Sequence, residues 1–173
     1  MHREEDNISI AIDRVSNHFS ASHALISNRY CEGLHGHNYF VDVEIEGIKD
    51  RDEILIDFIF LDNLLKEITS KFDHYVLIPS QNNLLKITRS SDNLELRYGD
   101  RYYSIPEKEI KLLECTNITA ESLAGLLGEE LYKHLKEKEF WSRINQIRLS
   151  VWETEYYKAT YTIFSNDSRT QKI

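Results

Sequence analysis

The sequence has few of the residues that mark linkers, disulfide frameworks and basic surfaces. Its 173 residues include two prolines, six glycines and two cysteines, and the formal net charge is −8. Because it has no Pro-, Gly- or Ser-rich linker and no internal repeat, we expect residues 1–173 to form a single domain. The acidic charge argues against a nucleic-acid-binding surface. Two cysteines, Cys31 and Cys115, are too few for the framework of a small secreted domain.

Long apolar runs are also missing. No run approaches the length of a membrane span, and the first residues, Met-His-Arg-Glu-Glu-Asp, lack the apolar stretch of a secretory signal. These absences predict a cytoplasmic protein that binds neither membranes nor nucleic acid. A local basic pocket for a phosphorylated small molecule is compatible with the acidic total.

Hydrophobic periodicity predicts two helices and four main strands. Apolar residues recur at helical spacing over 58–72 and 119–135. Strands are predicted at 8–15, 39–47, 146–153 and 159–164. Short strand-like runs over 84–105, separated by turn residues, predict an inserted hairpin or meander within about 79–111.

The order of these elements predicts the fold class. Strands grouped at both ends of the chain, with helices between them, are typical of an α+β domain with an antiparallel four-stranded sheet and two helices on one face. Such a sheet has open edges, which favour pairing with another copy. We therefore expect a homo-oligomer.

A histidine pattern predicts a metal site. His35 and His37 are two residues apart at the start of a strand, so both imidazoles point to one face. Gly36 between them allows close approach of the backbone, and a hairpin would return His23 beside the pair. Three neutral imidazoles leave a position of a tetrahedral zinc ion open, as in catalytic sites. The other histidines, His2, His18 and His134, are interpreted as solvent-facing or packing residues.

Cys31 has three possible roles. It could be a fourth zinc ligand, an inert thiol or a reactive base, since a thiol near zinc and imidazoles tends towards the thiolate. A ligand role would close the site, so ligand and base are competing assignments. Cys115 lies just before a helix with no histidine nearby, and we interpret it as structural.

Ordered motifs across the chain resemble the 6-pyruvoyl-tetrahydropterin synthase and 6-carboxy-tetrahydropterin synthase family. They cover most of the sequence apart from Pro79 to about Lys111. The motifs are F-x-A-x-H at 19–23, C-x-x-x-H-G-H at 31–37, D-F at 57–58, D-H-x-x-L at 73–77, N-P-T-A-E-N-x-A at 117–124 and E-T at 153–154. Ile118 and Ser122 depart from the fifth motif, and the insert has no counterpart.

The resemblance implies a fold and an assembly. It implies the tunnelling fold (T-fold), with trimers stacked into hexamers and active sites at subunit interfaces. It also implies zinc held by His23, His35 and His37.

The resemblance implies roles for further residues. Cys31 would be the general base, and Asp73 and His74 a second acid–base pair. Glu153 would anchor the pterin ring, and Thr119 and Glu121 would line the pocket. From the residues alone other interpretations stay open, because Glu153 could face solvent and Thr119 and Glu121 could simply begin a helix.

The gap between Cys31 and His35 resembles the 6-carboxy branch of the family. That branch implies conversion of 7,8-dihydroneopterin triphosphate with loss of triphosphate and acetaldehyde, in queuosine or archaeosine precursor synthesis. The alternatives are the 6-pyruvoyl branch and an aldolase-like branch that uses a glutamate, for which Glu32 is available. A non-catalytic zinc-binding module is an alternative of another class.

Overall fold

The computed structural model describes residues 7–13, 17–29 and 31–165. Within these ranges the chain forms helices α1 (Phe58–Ser70) and α2 (Ala120–Lys136). The strands are β1 (Asn7–Ile12), β2 (His18–His23), β3 (His35–Ile48), β4 (Tyr75–Pro79), β5 (Lys86–Ser90), β6 (Asn93–Tyr98), β7 (Arg101–Pro106), β8 (Ile110–Leu113), β9 (Ile144–Trp152) and β10 (Lys158–Phe164).

In the described residues, seven strands form the main sheet: six in the order β10-β9-β3-β2-β4-β8, and β1, which lies outside this order and pairs with β3. The long strand β3 pairs with β2 through its first half and with β1 through its second half, both antiparallel. The pairings of β4 with β2 and with β8 are parallel. The sheet is therefore mixed and contains β2, β4 and β8 in addition to the four predicted strands.

The core lies between one face of this sheet and the two helices. Alternate residues of β3, among them Val41, Val43 and Ile45, are almost fully buried, while the acids between them are not. The helices contribute the apolar stripes that their periodicity predicts: Leu61, Leu64, Leu65 and Ile68 from α1, and Leu123, Leu127, Leu131 and Leu135 from α2. The α+β class is confirmed.

Polar side chains cap both helices at their N-termini. Asp57 accepts the N–H of Phe60 at the start of α1. Thr119 and Ser122 form a reciprocal capping box at the start of α2, which satisfies two N–H groups that have no partner within the helix. Neither helix in the described part of the chain is long and apolar enough to span a membrane.

The insert is a three-stranded antiparallel meander, β5-β6-β7, with turns at 91–92 and 99–100. It has its own small core, in which Leu96 and Tyr98 of β6 pack with Ala24, Ile26 and Ile78. The meander therefore covers the segment between β2 and β3, which carries Cys31.

Candidate functional site

Two neighbouring strands place the three predicted zinc-ligand histidines together. His23 at the end of β2 is directly opposite His35 at the start of β3, and His37 is opposite Ala21. Paired residues in an antiparallel sheet point to the same face. Phe19 and Tyr39 are a pair on the face that carries the histidines, and both are buried in the main core. The rings therefore form one cluster where the buried core meets the end of the sheet.

Backbone carbonyls orient two of the rings. His23 Nδ1 lies 2.9 Å from the carbonyl oxygen of Ile118, and His35 Nδ1 lies 3.0 Å from that of Gly33. A carbonyl oxygen only accepts, so each Nδ1 carries the proton and each Nε2 carries the free lone pair. Such a bond to the far nitrogen is the usual support of a metal-binding imidazole.

These residues fit a divalent metal ion with nitrogen ligands. One ring nitrogen from each of His23, His35 and His37 lies within 4.8 Å of the other two. His23 is 3% exposed, and its Nε2 is buried with no hydrogen-bond partner among the described residues, which is costly unless that lone pair is used. Burial also lowers the pKa of His23, and this effect outweighs the opposing effect of the hydrogen bond to Ile118. The lowered pKa favours the neutral imidazole, which is the form that binds a metal.

The carboxylate of Glu153 lies beside this cluster. Its Oε1 is 3.5 Å from His23 Nε2 and 3.6 Å from His37 Nε2, and it accepts a 3.4 Å hydrogen bond from the Tyr39 hydroxyl. Burial raises the pKa of Tyr39, with a further contribution from Glu153, so the phenol stays a neutral donor. Glu153 follows β9, the other neighbour of β3, and is thus a part of the histidine site.

Cys31 lies in the loop that leads into the histidine strand. Its thiol is exposed, and its backbone forms an isolated bridge with Ile26. The Asn117 side chain braces Ile26 by bonding both its N–H and its carbonyl, at 3.0 and 2.8 Å. In the same loop, Glu32 reaches 3.9 Å from His35 Nε2. The loop therefore connects the thiol to the imidazole cluster.

Asp73 and His74 form a hydrogen-bonded pair. Asp73 Oδ2 is 2.8 Å from His74 Nδ1, and Asp73 Oδ1 accepts the N–H of Ser20 at 2.8 Å. These bonds, led by that from Ser20, lower the pKa of Asp73. His74 has φ of 62°, so these neighbours sit in a turn in which their side chains can face each other.

The Asp73–His74 pair opens onto the other face of the sheet. A cavity of about 410 Å³ is lined by His74 with Ser20, Ser22 and Asn38, and it also reaches His37. Ser20, Ser22 and Asn38 alternate along β2 and β3 with the residues that carry the imidazoles. Within one chain, the pair and the three imidazole rings therefore project from different faces.

The remaining predicted residues have visible structural positions. Thr119 caps α2, and Glu121 is exposed in its first turn. Cys115 packs against the main core, and burial raises its pKa. His18 is exposed beside Phe40, His134 pairs with Glu130, and His2 lies outside the described residues.

The structure adds residues that sequence reasoning missed. Arg101 of β7 places Nη1 at 3.6 Å from Cys31 Sγ, and Tyr98 and Tyr103 bond the backbone that follows Cys31. All three belong to the insert, about 70 positions from the loop they contact. No local signal in the sequence marks such contacts.

Comparison with known proteins identifies the family. The family model described as 6-pyruvoyl tetrahydropterin synthase matches residues 13–163. The chain belongs to this family. Membership places it among enzymes that carry out lyase-type reactions on pterins.

Relatives named for two branches of the 6-pyruvoyl tetrahydropterin synthase family resemble the chain. A Methanocaldococcus jannaschii protein with the provisional name 6-carboxy-5,6,7,8-tetrahydropterin synthase is 32% identical over 136 residues, which are 78% of this chain and 83% of the relative. A 6-pyruvoyl tetrahydrobiopterin synthase of Dictyostelium discoideum is 30% identical over 115 residues, 57% of this chain and 85% of the relative.

Solved structures show the same fold. The Plasmodium falciparum 6-pyruvoyl tetrahydropterin synthase superimposes with a TM-score of 0.85 and 26% identity, covering 91% of this chain and 98% of that one. The Plasmodium vivax enzyme gives a TM-score of 0.88 at 22% identity, covering 92% and 99%. The T-fold of the family is therefore the fold of this chain.

Proposed function

We propose that this family member is a zinc-dependent 6-carboxy-5,6,7,8-tetrahydropterin synthase. It converts 7,8-dihydroneopterin triphosphate with loss of triphosphate and acetaldehyde, and its product serves deazapurine (queuosine or archaeosine) synthesis. The observation that carries the proposal is the convergence of the His23, His35 and His37 nitrogens within 4.8 Å. Relatives that carry the 6-carboxy name support it, among them the Aquifex aeolicus enzyme, 26% identical over 133 residues.

The three imidazoles are proposed to bind one zinc ion through the ring nitrogens that lie within 4.8 Å of one another. When bound there, zinc supplies a Lewis acid for an oxygen of the substrate side chain. The bonds from His23 to Ile118 and from His35 to Gly33 fix the ring directions before the metal binds.

Cys31 is proposed as the general base of this site. Its sulfur is exposed, so it is accessible to a substrate and would accept a proton from a side-chain carbon, leaving the electron pair on the substrate. A base of this kind contributes roughly 10²- to 10⁴-fold to turnover. The base role needs a sulfur that is not bound to the metal, and Arg101 as its neighbour is compatible with that.

Glu153 is proposed as the anchor of the pterin ring. A carboxylate accepts hydrogen bonds from two adjacent N–H groups, which the pterin presents at its amino-pyrimidine edge. The proximity of Glu153 to two imidazoles means that the anchored ring lies next to the metal site. Thr119 and Glu121, at the start of the helix that follows Ile118, are proposed to line the same pocket.

Asp73 and His74 are proposed to act as an acid–base pair in the site of a neighbouring copy. They project from a different sheet face than the imidazoles, and the His74 side chain is 83% exposed. Asp73 orients the His74 ring through the 2.8 Å contact of its Oδ2 with Nδ1. The sheet ends at β10 and β8, edges on which another copy could pair, and we propose a trimer or hexamer with interface sites.

The 6-pyruvoyl reaction is the second candidate. It is favoured by the identity to the Dictyostelium discoideum enzyme, and it begins with the same loss of triphosphate. It differs in the carbon skeleton of the product, because the side chain is retained and no acetaldehyde is released.

Product analysis tests the proposal. Zinc-loaded protein is incubated with 7,8-dihydroneopterin triphosphate, the pterin product is identified by mass, and acetaldehyde is trapped and quantified. We expect one acetaldehyde per 6-carboxy product. Cys31→Ala should retain zinc and lose turnover at least about a hundredfold, whereas Cys115→Ala, the matched control, should retain turnover.

Three results would contradict the proposal. A pyruvoyl product without acetaldehyde would favour the second candidate. Pterin cleavage without loss of triphosphate would indicate aldolase-like chemistry, with Glu32 as its candidate base. Zinc loss in Cys31→Ala, with no turnover by the wild type, would indicate a closed, non-catalytic zinc module.

A further inference from the structure

The inserted meander holds the loop that begins at Cys31. The hydroxyl of Tyr98 donates to the carbonyl oxygen of Glu32 at 3.1 Å, and that of Tyr103 accepts the N–H of Leu34 at 3.2 Å. The two phenol rings stack with centroids 5.9 Å apart. β6 and β7 therefore fix the backbone that leads from the thiol to the histidine strand.

The turn between these strands brings a cation to the sulfur itself. Arg101, the first residue of β7, donates from Nη1 to Cys31 Sγ at 3.6 Å. Gly99 in the turn has φ of 56°, and a Cβ there would lie 3.3 Å from the same sulfur. A guanidinium is always protonated, so the turn presents a permanent positive charge to Cys31.

The guanidinium is positioned by the protein and is not simply extended into solvent. The Arg101 side chain is 35% exposed, and its Nε lies 3.8 Å from the position of a Cβ on Gly33. Asp100 Oδ1 is 3.3 Å from Nη1, but the Asp100 side chain is 93% exposed, so solvent screens its attraction to the guanidinium. The contact with Asp100 therefore does not prevent Nη1 from donating to the Cys31 sulfur at 3.6 Å.

We propose that Arg101 is a positioning residue that donates a hydrogen bond to the Cys31 sulfur and fixes its direction. A hydrogen bond to an ionised partner is stronger than one to the neutral partner, so a guanidinium donor favours an anionic acceptor. This inference rests on the proposed function, in which Cys31 is the base. It gives the insert a role in the site, because the residue that positions the base is carried on β7.

An alternative use of the same charge would be to bind a substrate phosphate. The two roles change different kinetic constants. A positioning residue for the base lowers kcat with little change in KM, whereas a phosphate-binding cation raises KM.

Alkylation of the thiols tests the proposal without requiring turnover. Zinc-loaded wild type, Arg101→Gln and Arg101→Lys are treated at neutral pH with iodoacetamide and with iodoacetate, and modification of Cys31 is followed by peptide mass. Cys115 is the internal reference. Arg97→Gln is the matched control, because Arg97 is in the same meander but stacks on Tyr102, 4.1 Å from its ring centroid.

We expect Arg101→Gln to slow the reaction of Cys31 with iodoacetamide about fivefold, and the reaction with anionic iodoacetate further. Arg101→Lys keeps the positive charge, so the ratio of its iodoacetate rate to its iodoacetamide rate at Cys31 should equal that of the wild type. Arg97→Gln should resemble the wild type with both reagents. In turnover, Arg101→Gln should lower kcat about fivefold with KM unchanged.

Unchanged alkylation of Cys31 in Arg101→Gln would overturn the proposal, as would a raised KM with unchanged kcat. If Arg101→Gln does not fold, the comparison of Arg101→Lys with the wild type tests the proposal. A lower ratio of the iodoacetate rate to the iodoacetamide rate in Arg101→Lys, despite the retained charge, would also overturn the proposal. Full turnover by Cys31→Ala would instead refute the base role in the proposed function, while leaving the alkylation result to stand by itself.

Discussion

Replacing Thr119 separates a structural role from a substrate-binding one. The Thr119 hydroxyl accepts the N–H of Ser122 at 3.3 Å, and the Ser122 hydroxyl accepts the N–H of Thr119 at 3.0 Å. Thr119→Ala removes one half of this capping box and leaves a helix N–H without its partner. Loss of such a cap costs about 1 kcal/mol of unfolding free energy.

For a chain of this length, that cost corresponds to a fall in Tm of about 2–4 °C. Thr119→Ser keeps the accepting oxygen and should stay within about 0.5 kcal/mol of the wild type. Both variants keep the carbonyl of Ile118 that bonds His23, so neither should lose zinc. The assay is urea and thermal unfolding at one protein concentration, so that any association contributes equally.

Equal stability of the alanine and serine variants would refute the capping argument. A KM that rises in both variants, with the stability of the serine variant unchanged, would show a contact between the Thr119 methyl group and the substrate. A KM that rises only in the alanine variant would assign the hydroxyl to the substrate as well as to the helix.

Three further outcomes follow from the geometry. Gly47→Ala should destabilise the protein by about 3 kcal/mol or more, because a Cβ would overlap the carbonyl of Arg143 and lie 2.9 Å from a Leu55 methyl carbon. Gly125 lies in open space on α2, so Gly125→Ala, the matched control, should stabilise the protein by up to about 1 kcal/mol in the same urea titration. Because the pKa of Asp73 is lowered in the folded state, its carboxylate stabilises that state at pH values above the ordinary pKa of 3.8. This contribution disappears as the pH falls through the pKa of the folded state. The gap in unfolding free energy between wild type and Asp73→Asn should therefore shrink as pH drops below about 4, and a constant gap from pH 6 to 3 would contradict this. Glu153→Gln should raise the KM for the pterin about tenfold to a hundredfold, with unchanged circular dichroism.

Periodicity was sufficient for the elements that bury one face. Both helices and β3 carry regular apolar positions over three or more turns or pleats, and the structure begins and ends them within a few residues of the predicted bounds. The meander was predictable from its turn residues. Its turns fall at 91–92 and 99–100.

The missed strands have reasons in their own composition. β2 (His18–His23) is mostly polar, because one of its faces lines a cavity and the other carries a site residue. β4 and β8 are short and pair in parallel, with partners far along the chain. Apolar alternation cannot reveal such strands, because their position depends on the tertiary structure.

The local part of the histidine site could be read from spacing, and the rest could not. The i, i+2 rule places His35 and His37 on one face, and the hairpin brings His23 opposite His35. Glu153 and Arg101 reach the site through sheet order and through the insert. Asp73 and His74 are adjacent in the sequence, and they can face each other because they lie in a turn in which His74 has a positive φ.

Zinc stoichiometry after dialysis shows whether the three imidazoles hold the metal without the thiol. We expect one zinc per chain for the wild type and for Cys31→Ala. We expect His35→Ala to lose zinc and His18→Ala, the matched control from the exposed end of β2, to retain it. Retention of zinc by His35→Ala, or its loss from Cys31→Ala, would contradict a site built from three imidazoles with a free thiol beside it.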